Sequence, residues 1–439
     1  MSPANWPFTG GDMPQVVRAH GNTLTLADGR EVLDAAGGAI VNNIGWGRES
    51  VARCLYETTR DLSYAVPPWI TPGRAALVEA LQTDWLDADL DRIHVTAGGS
   101  EAVEAAIKIA LQYQEAIGEQ GRTEIISREP SYHGTTLATA AYSGHLARKR
   151  GLARALKENP KARTPYPLRA GAGSNHPSDV GADLESLEQV LKDTGPERVA
   201  ALLVEPITGS SGGALEAPAG YWHAVARLCR EHGILIICDE VMTGFGRTGR
   251  DFACQHFDLA PDILVAGKGL AGGYAPLGGV FARTGIGDAI REAGYAVMFH
   301  TFGAHPAACA AGAEVLRILR AEALVEASAT LGERLKADLQ SRFAEHPHVA
   351  EVRGRGLLLA IEVVADRADL GCYPESAQMT RRVVQAAFER GVAFYSGGTG
   401  AVRDIICLGP AFTSTSAELE RMADVLVAAV DAATSAAPT

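Results

Sequence analysis

Residues 233–270 read GILIICDEVMTGFGRTGRDFACQHFDLAPDILVAGKGL, and two short apolar runs within them decide the fold class. Ile234–Cys238 and Ile263–Ala266 are apolar at every position rather than at alternate ones. Such a strand is buried on both faces, as in a mostly parallel sheet covered by helices on each side. Asp239 follows the first run directly and Lys268 closely follows the second. Both are therefore expected at carboxyl ends of sheet strands, where α/β folds place their ligands.

The same pattern extends outward. Candidate strands are Arg92–Thr96, Glu124–Ser127, Val199–Val204 and Gly279–Ala282, with helical patterns over Glu101–Glu115, Leu184–Lys192 and Tyr221–His232 between them. That order predicts an α/β sheet with helices on both faces. The ends differ. Thr23–Ala27 and Glu31–Ala35 flank Asp28-Gly29, a hairpin signal. From about Ala311, Ala- and Leu-rich helical stretches (311–319, 323–343, 377–390 and 417–433) surround short strands such as Leu357–Val363. Residues 1–49 and 311–439 are read as one smaller α+β domain built from both termini, and 50–310 as the large domain. The Ala/Ser/Thr/Pro tail after Asp431 is expected to fray.

Composition sets the bounds. The chain has 439 residues, 47% hydrophobic and 21% charged, which excludes a disordered or fibrous protein. A formal charge of −12 without any basic run argues against general nucleic-acid binding. Seven cysteines, odd in number and without C-x-x-C spacing, suggest neither a zinc knuckle nor a disulfide scaffold. The opening MSPANWPFTGGDMP lacks the features of a signal peptide, and no apolar run approaches the length of a membrane-spanning helix. The expectation is a soluble cytoplasmic protein with no membrane partner and no metal site.

Asp239 and Lys268 at neighbouring strand ends would project into one crevice. A desolvated lysine loses part of its preference for the ammonium form and can attack a carbonyl to make a Schiff base. A carboxylate facing a pyridine nitrogen keeps that nitrogen protonated and makes the ring an electron sink. Taken alone, such a pair more often means a structural ion pair. Residues 96–108, TAGGSEAVEAAIK, place Gly98 and Gly99 after a strand and Ser100 at the N-cap position of a strong helix former. Glycines allow close backbone approach, and a helix N-terminus offers N–H groups and a positive dipole end to phosphate. Most such turns bind nothing. Tyr132 and His133, in Ser131-Tyr132-His133-Gly134, again follow a strand; the ring could stack on a flat cofactor or simply pack at the sheet edge.

Together, GGSEAVEAA, SYHG, LLVEP, DEVMTGFGRTG, AGKG and HTFGAHPAACAAG resemble the class III aminotransferases among the fold type I pyridoxal-phosphate enzymes. The resemblance runs from about Leu24 to Val430, and the DEV-x-T-G-F-G-R-T-G motif followed by its lysine is its most specific part. It implies that Lys268 carries pyridoxal 5′-phosphate and then shuttles the proton, and that Asp239 pairs with the pyridine nitrogen. Val241 and Tyr132 would cover the two ring faces, Gly99 and Ser100 would cup the phosphate, Glu205 would stand near the cofactor, and His133 would support Asp239 or the ring hydroxyl. Thr301 would reach the phosphate of a neighbouring subunit, which implies a homodimer with shared active sites.

Substrates follow less directly. The family often holds a carboxylate with an arginine near the C-terminal strand; Arg403 is the basic residue there, but closer to Pro410 than the usual spacing, so a surface arginine fits equally well. Ile40 and Trp69 are pocket candidates, with Ile40 standing where related amine–pyruvate enzymes have an aromatic, whereas Trp46 reads better as core. Lack of a glutamate-binding signature, with APLGG at 275–279, favours an amine or ω-amino acid donor and a keto-acid acceptor, pyruvate. Isomerases (aminomutases or racemases) and decarboxylating enzymes share the Asp/Lys framework and form the alternative.

Overall fold

The computed structural model describes residues 14–169, 180–295, 298–400 and 402–436. A seven-stranded sheet runs through it in the spatial order Arg92–Thr96, Gly278–Ala282, Ile263–Ala266, Leu235–Asp239, Val199–Val204, Glu124–Glu129 and Lys161–Arg163. Gly278–Ala282 is antiparallel to both neighbours, and every other pairing is parallel. The six strands read from the sequence are present to within two residues at each end. Lys161–Arg163 adds an edge strand whose three residues, Lys-Ala-Arg, carry no apolar run to reveal it.

Strict alternation shows why the central strands are apolar throughout. Leu202, Val204, Ile236, Cys238, Leu264 and Ala266 face a core shared with the helices Val180–Thr194, Tyr221–Glu231 and Pro306–Ala321. Their neighbours Leu203, Leu235, Ile237, Ile263 and Val265 face a second core with Gly99–Ala116 and Thr284–Glu292. Successive side chains point to opposite faces, so a strand sandwiched between two helical layers can carry no polar side. At about 25 cal/mol per Å² of apolar surface removed from water, this burial is the main force holding the layers together.

Both termini contribute to one sheet. Val16–His20, Thr23–Leu26 and Glu31–Asp34 form an antiparallel meander, and Glu31–Asp34 pairs in parallel with Val392–Ala393. A further antiparallel sheet contains Val349–Arg355, Leu358–Val363, Val402–Leu408 and Tyr395–Thr399. The last helix, Ser416–Ser435, starts at a capping box in which Thr415 and Glu418 satisfy each other's backbone N–H groups. The N-terminal segment also reaches the large sheet: Asn43 Nδ2 donates to the Gly269 carbonyl at 2.9 Å and the Tyr274 hydroxyl donates to that of Gly45 at 2.6 Å.

All seven cysteines are free thiols, five of them buried. Among the described residues no helix is long and apolar enough to cross a membrane, and no group of three or more His, Cys, Asp or Glu could hold a metal ion.

Candidate active site

Four adjacent parallel strands, Glu124–Glu129, Val199–Val204, Leu235–Asp239 and Ile263–Ala266, end on the same side of the sheet. The residues at or just beyond those ends are Tyr132 and His133, Glu205, Asp239, and Lys268. They converge on one cavity of about 200 Å³, which Gly99, Ser100 and Val241 also line. Register explains the meeting of acid and amine. Asp239 lies opposite Val265 on the neighbouring strand, so Lys268, three residues further on, turns back beside it. Lys268 begins a tight turn with φ of +37°, a backbone region that a residue with a Cβ adopts only when its surroundings impose it.

Asp239 is buried and doubly held. Its Oδ2 meets His133 Nδ1 at 2.8 Å, and its Oδ1 accepts the Val241 N–H at 3.1 Å. The His133 backbone N–H is fixed in turn by the Ser143 hydroxyl at 2.8 Å. Glu205 accepts the N–H groups of Gly209 at 2.9 Å and Tyr132 at 3.0 Å. Desolvation nevertheless raises its carboxyl above the usual range, with nearby Asp239 adding to the effect. Lys268 responds oppositely. Desolvation, opposed by the attraction of Asp239 and Glu205, lowers its ammonium to about 8.

The phosphate side differs from the sequence expectation in one respect. Gly98, in extended backbone, is the N-cap of the Gly99–Ala116 helix, so Ser100 lies within the first turn rather than at the cap. Its hydroxyl instead accepts the Thr135 N–H at 3.1 Å, since the Tyr132–Gly134 loop lies across this helix end. No side chain caps the helix, which leaves its positive end to the cavity. A Cβ at Gly99 would come within 2.8 Å of Val241 Cγ1, so glycine lets the helix end sit against the cavity floor.

Five residues singled out in the sequence are not among those lining this cavity. Ile40 is buried with φ of +58° in a cluster with Ile405 and with Ile207, which lines the cavity. Arg403 donates to the carbonyls of Tyr373 at 2.9 Å and Gly400 at 3.4 Å. Trp69 is 69% exposed and Thr301 is also exposed, both on the surface of this chain. Trp46 donates from Nε1 to Asp34 at 3.0 Å and is partly buried.

Sequence reading missed two arginines. Arg247, within the DEVMTGFGRTG motif, is buried and donates to the carbonyls of Leu357, Pro410 and Asn42. The GFGRTG pattern marked that loop, but only the tertiary contacts show what the guanidinium holds. Arg148 places its guanidinium carbon 4.5 Å from the Tyr132 ring centroid. No periodicity or motif in its short exposed turn announces it.

The residues fit pyridoxal phosphate. His133 Nε2 is buried without a partner, an orphan polar atom beside the paired Asp239. An open helix end faces a cavity that also holds a lysine and a carboxylate, the donor set needed for the phosphate, aldehyde and pyridine ends of such a group.

The model of the family "Aminotransferase class-III" matches residues 10–430. A taurine–pyruvate aminotransferase of Rhodobacter capsulatus is 33% identical over 97% of this chain and 93% of its own length. A diaminobutyrate–2-oxoglutarate transaminase of Halomonas elongata is 30% identical over 94% and 90%. Among solved structures, a thermostable (S)-enantioselective omega-transaminase from Thermomicrobium roseum superposes with a TM-score of 0.90 at 33% identity, covering 98% of this chain and 96% of its own. The omega-transaminase of Pseudomonas jessenii, in complex with PMP, superposes at 0.89 with 27% identity over 98% and 96%.

Proposed function

The chain belongs to the class III aminotransferases, pyridoxal-phosphate enzymes of fold type I, and from that premise we propose that its Lys268 crevice moves an amino group from an amine or ω-amino acid to pyruvate in two half-reactions. One observation carries the reading. Lys268, its ammonium lowered to about 8, opens into the same cavity as the buried, doubly hydrogen-bonded Asp239. An ordinary surface lysine is almost wholly protonated at neutral pH and a poor nucleophile; at about 8 this one keeps roughly a tenth of its molecules neutral at pH 7, hundreds of times more.

Pyridoxal phosphate, when bound, supplies an aldehyde that captures amines and a pyridine ring that spreads the charge left by a departing proton. The protein does the rest. Lys268 Nζ would hold the aldehyde, then as a free amine take up the proton from the amine-bearing carbon. Asp239 would pair with the ring nitrogen, and His133, bonded to its Oδ2, fixes that carboxylate in place. Gly99 and Ser100, at the open helix end, would take the phosphate. Val241 and Tyr132 would flank the ring.

Pyruvate as acceptor is supported by the name of the R. capsulatus relative, while the H. elongata relative's name carries 2-oxoglutarate. A homodimer is supported by exposed Tyr64, Trp69, Ile70, Phe299 and Phe302; Phe302, next to Thr301 in sequence, packs edge-on against Tyr64. Free thiols throughout fit a reducing cytoplasm.

The test is a single turnover. Holoenzyme given an amine donor without any keto acid should yield one carbonyl product per site and leave pyridoxamine phosphate, which pyruvate reverses faster than 2-oxoglutarate does. A substrate that isomerises or loses carbon dioxide while the cofactor keeps its aldehyde form would overturn the transfer. Reversal by 2-oxoglutarate alone would overturn the acceptor.

A further inference from the structure

The arginines around the cavity differ in what holds them. Arg169 and Arg353 both pair with Glu362. Arg128 donates to the Glu205 carbonyl, Arg247 to three carbonyls, and Arg403 to two. Arg148 is different. It rises from the exposed turn Leu146–Lys149, and its guanidinium lies on the face of Tyr132, a cavity-lining ring, with His145 edge-on to the same ring at 6.0 Å. Among the described residues no carboxylate pairs with it and no backbone carbonyl accepts from it, whereas Arg169 and Arg353 share Glu362 and the other three are tied to carbonyls.

The turn is not a loose surface loop. The Ala147 N–H donates to Thr399 Oγ1 at 3.4 Å, and Leu146 lies beside Gly400, so the turn rests against the end of the Tyr395–Thr399 strand. Arg148 is close enough to the crevice that its charge acts on Lys268, Tyr132 and His145. Burial, with that charge second, pushes His145 down to about 4, so the imidazole edge-on to Tyr132 adds no positive charge of its own at neutral pH. A cation held on an aromatic face near a reactive amine, with no acid to balance it, is arranged to receive an anion.

We propose that Arg148 receives the acid group of the donor, which makes the preferred donor an amino acid whose carboxylate or sulfonate is remote from the reacting amine. This rests on the reading of the Lys268 crevice given above. Arg403, tied to two carbonyls, is not the arginine that does this. The phosphate does not need Arg148, because the open end of the Gly99–Ala116 helix lies at the same cavity. A guanidinium suits either acid, since its planar fork binds two oxygens at once.

The experiment compares Arg148→Leu and Arg148→Lys with the parent holoenzyme in the half-reaction, using β-alanine, taurine and the neutral amine 1-phenylethylamine. In Arg148→Leu the kcat/KM ratio of acid over neutral donor should fall about 10- to 100-fold, mainly through KM, as expected for one lost charge-assisted contact. Arg148→Lys should restore part of it, and the relative rates of β-alanine and taurine distinguish carboxylate from sulfonate. An unchanged ratio would overturn the proposal. So would weaker pyridoxal-phosphate binding that accounts for the whole loss, because Arg148 would then serve the cofactor. A parent enzyme that accepts only the neutral amine would sink the donor class while the transfer reading stands. One that reacts with no donor would remove the transfer reading itself.

Discussion

Lys268 combines two costs that a purely structural lysine would avoid: a positive φ and a desolvated amine. Its protonation gives the prediction at this scale. Below pH 8 the ammonium form dominates and cannot attack an aldehyde; above it the free amine does. Capture of pyridoxal phosphate by the cofactor-free protein should therefore accelerate with pH, pass its half-maximum near 8 and be level before 10, read by stopped-flow absorbance. A rate still climbing toward 10 would show an amine with the ordinary affinity for its proton. Asp239 and Lys268 were legible in sequence because each follows an apolar run that can only be a buried strand. Arg148 was not, because its meeting with Tyr132 is made by two loops that pattern alone cannot bring together.

At the scale of the element, the GFGRTG loop shows how a motif can be recognised before its physics is known. Gly246, with φ of +90°, brings the backbone so near Phe412 that a Cβ would sit 2.9 Å from its ring. Arg247 follows, its guanidinium 4.7 Å from the centre of that ring, and binds carbonyls from both terminal segments. Burial lowers it to about 9. Arg247→Leu would strand three buried acceptors at about 1–3 kcal/mol each, softened by the charge no longer buried. We expect a net loss of about 3–5 kcal/mol, measured as a lower denaturant midpoint at unchanged slope; a change under about 1 kcal/mol would remove this loop from the framework. The central strands could be read early because burial on both faces leaves an unbroken apolar run. The Lys161–Arg163 edge, three residues long, and the glycine-rich strand Tyr395–Thr399 carry no such mark.

For the whole molecule, the apolar surface around Thr301 carries the expectation of a partner subunit. Phe302 is 62% exposed and meets Tyr64 edge-on at 6.3 Å, so two segments far apart in sequence build one patch. The active species should sediment as a dimer at assay concentration, and activity in a monomer would contradict shared sites. The central claim is that Lys268 at the strand ends performs amino transfer, and its most direct test is the absorption spectrum through one turnover. Wild-type holoenzyme should show a visible lysine-linked band that an amine donor replaces with the near-ultraviolet band of pyridoxamine phosphate. Lys268→Ala, folded and supplied with cofactor, should show neither that band nor turnover. A variant lacking Lys268 that converts donor to carbonyl at the wild-type rate would contradict the account.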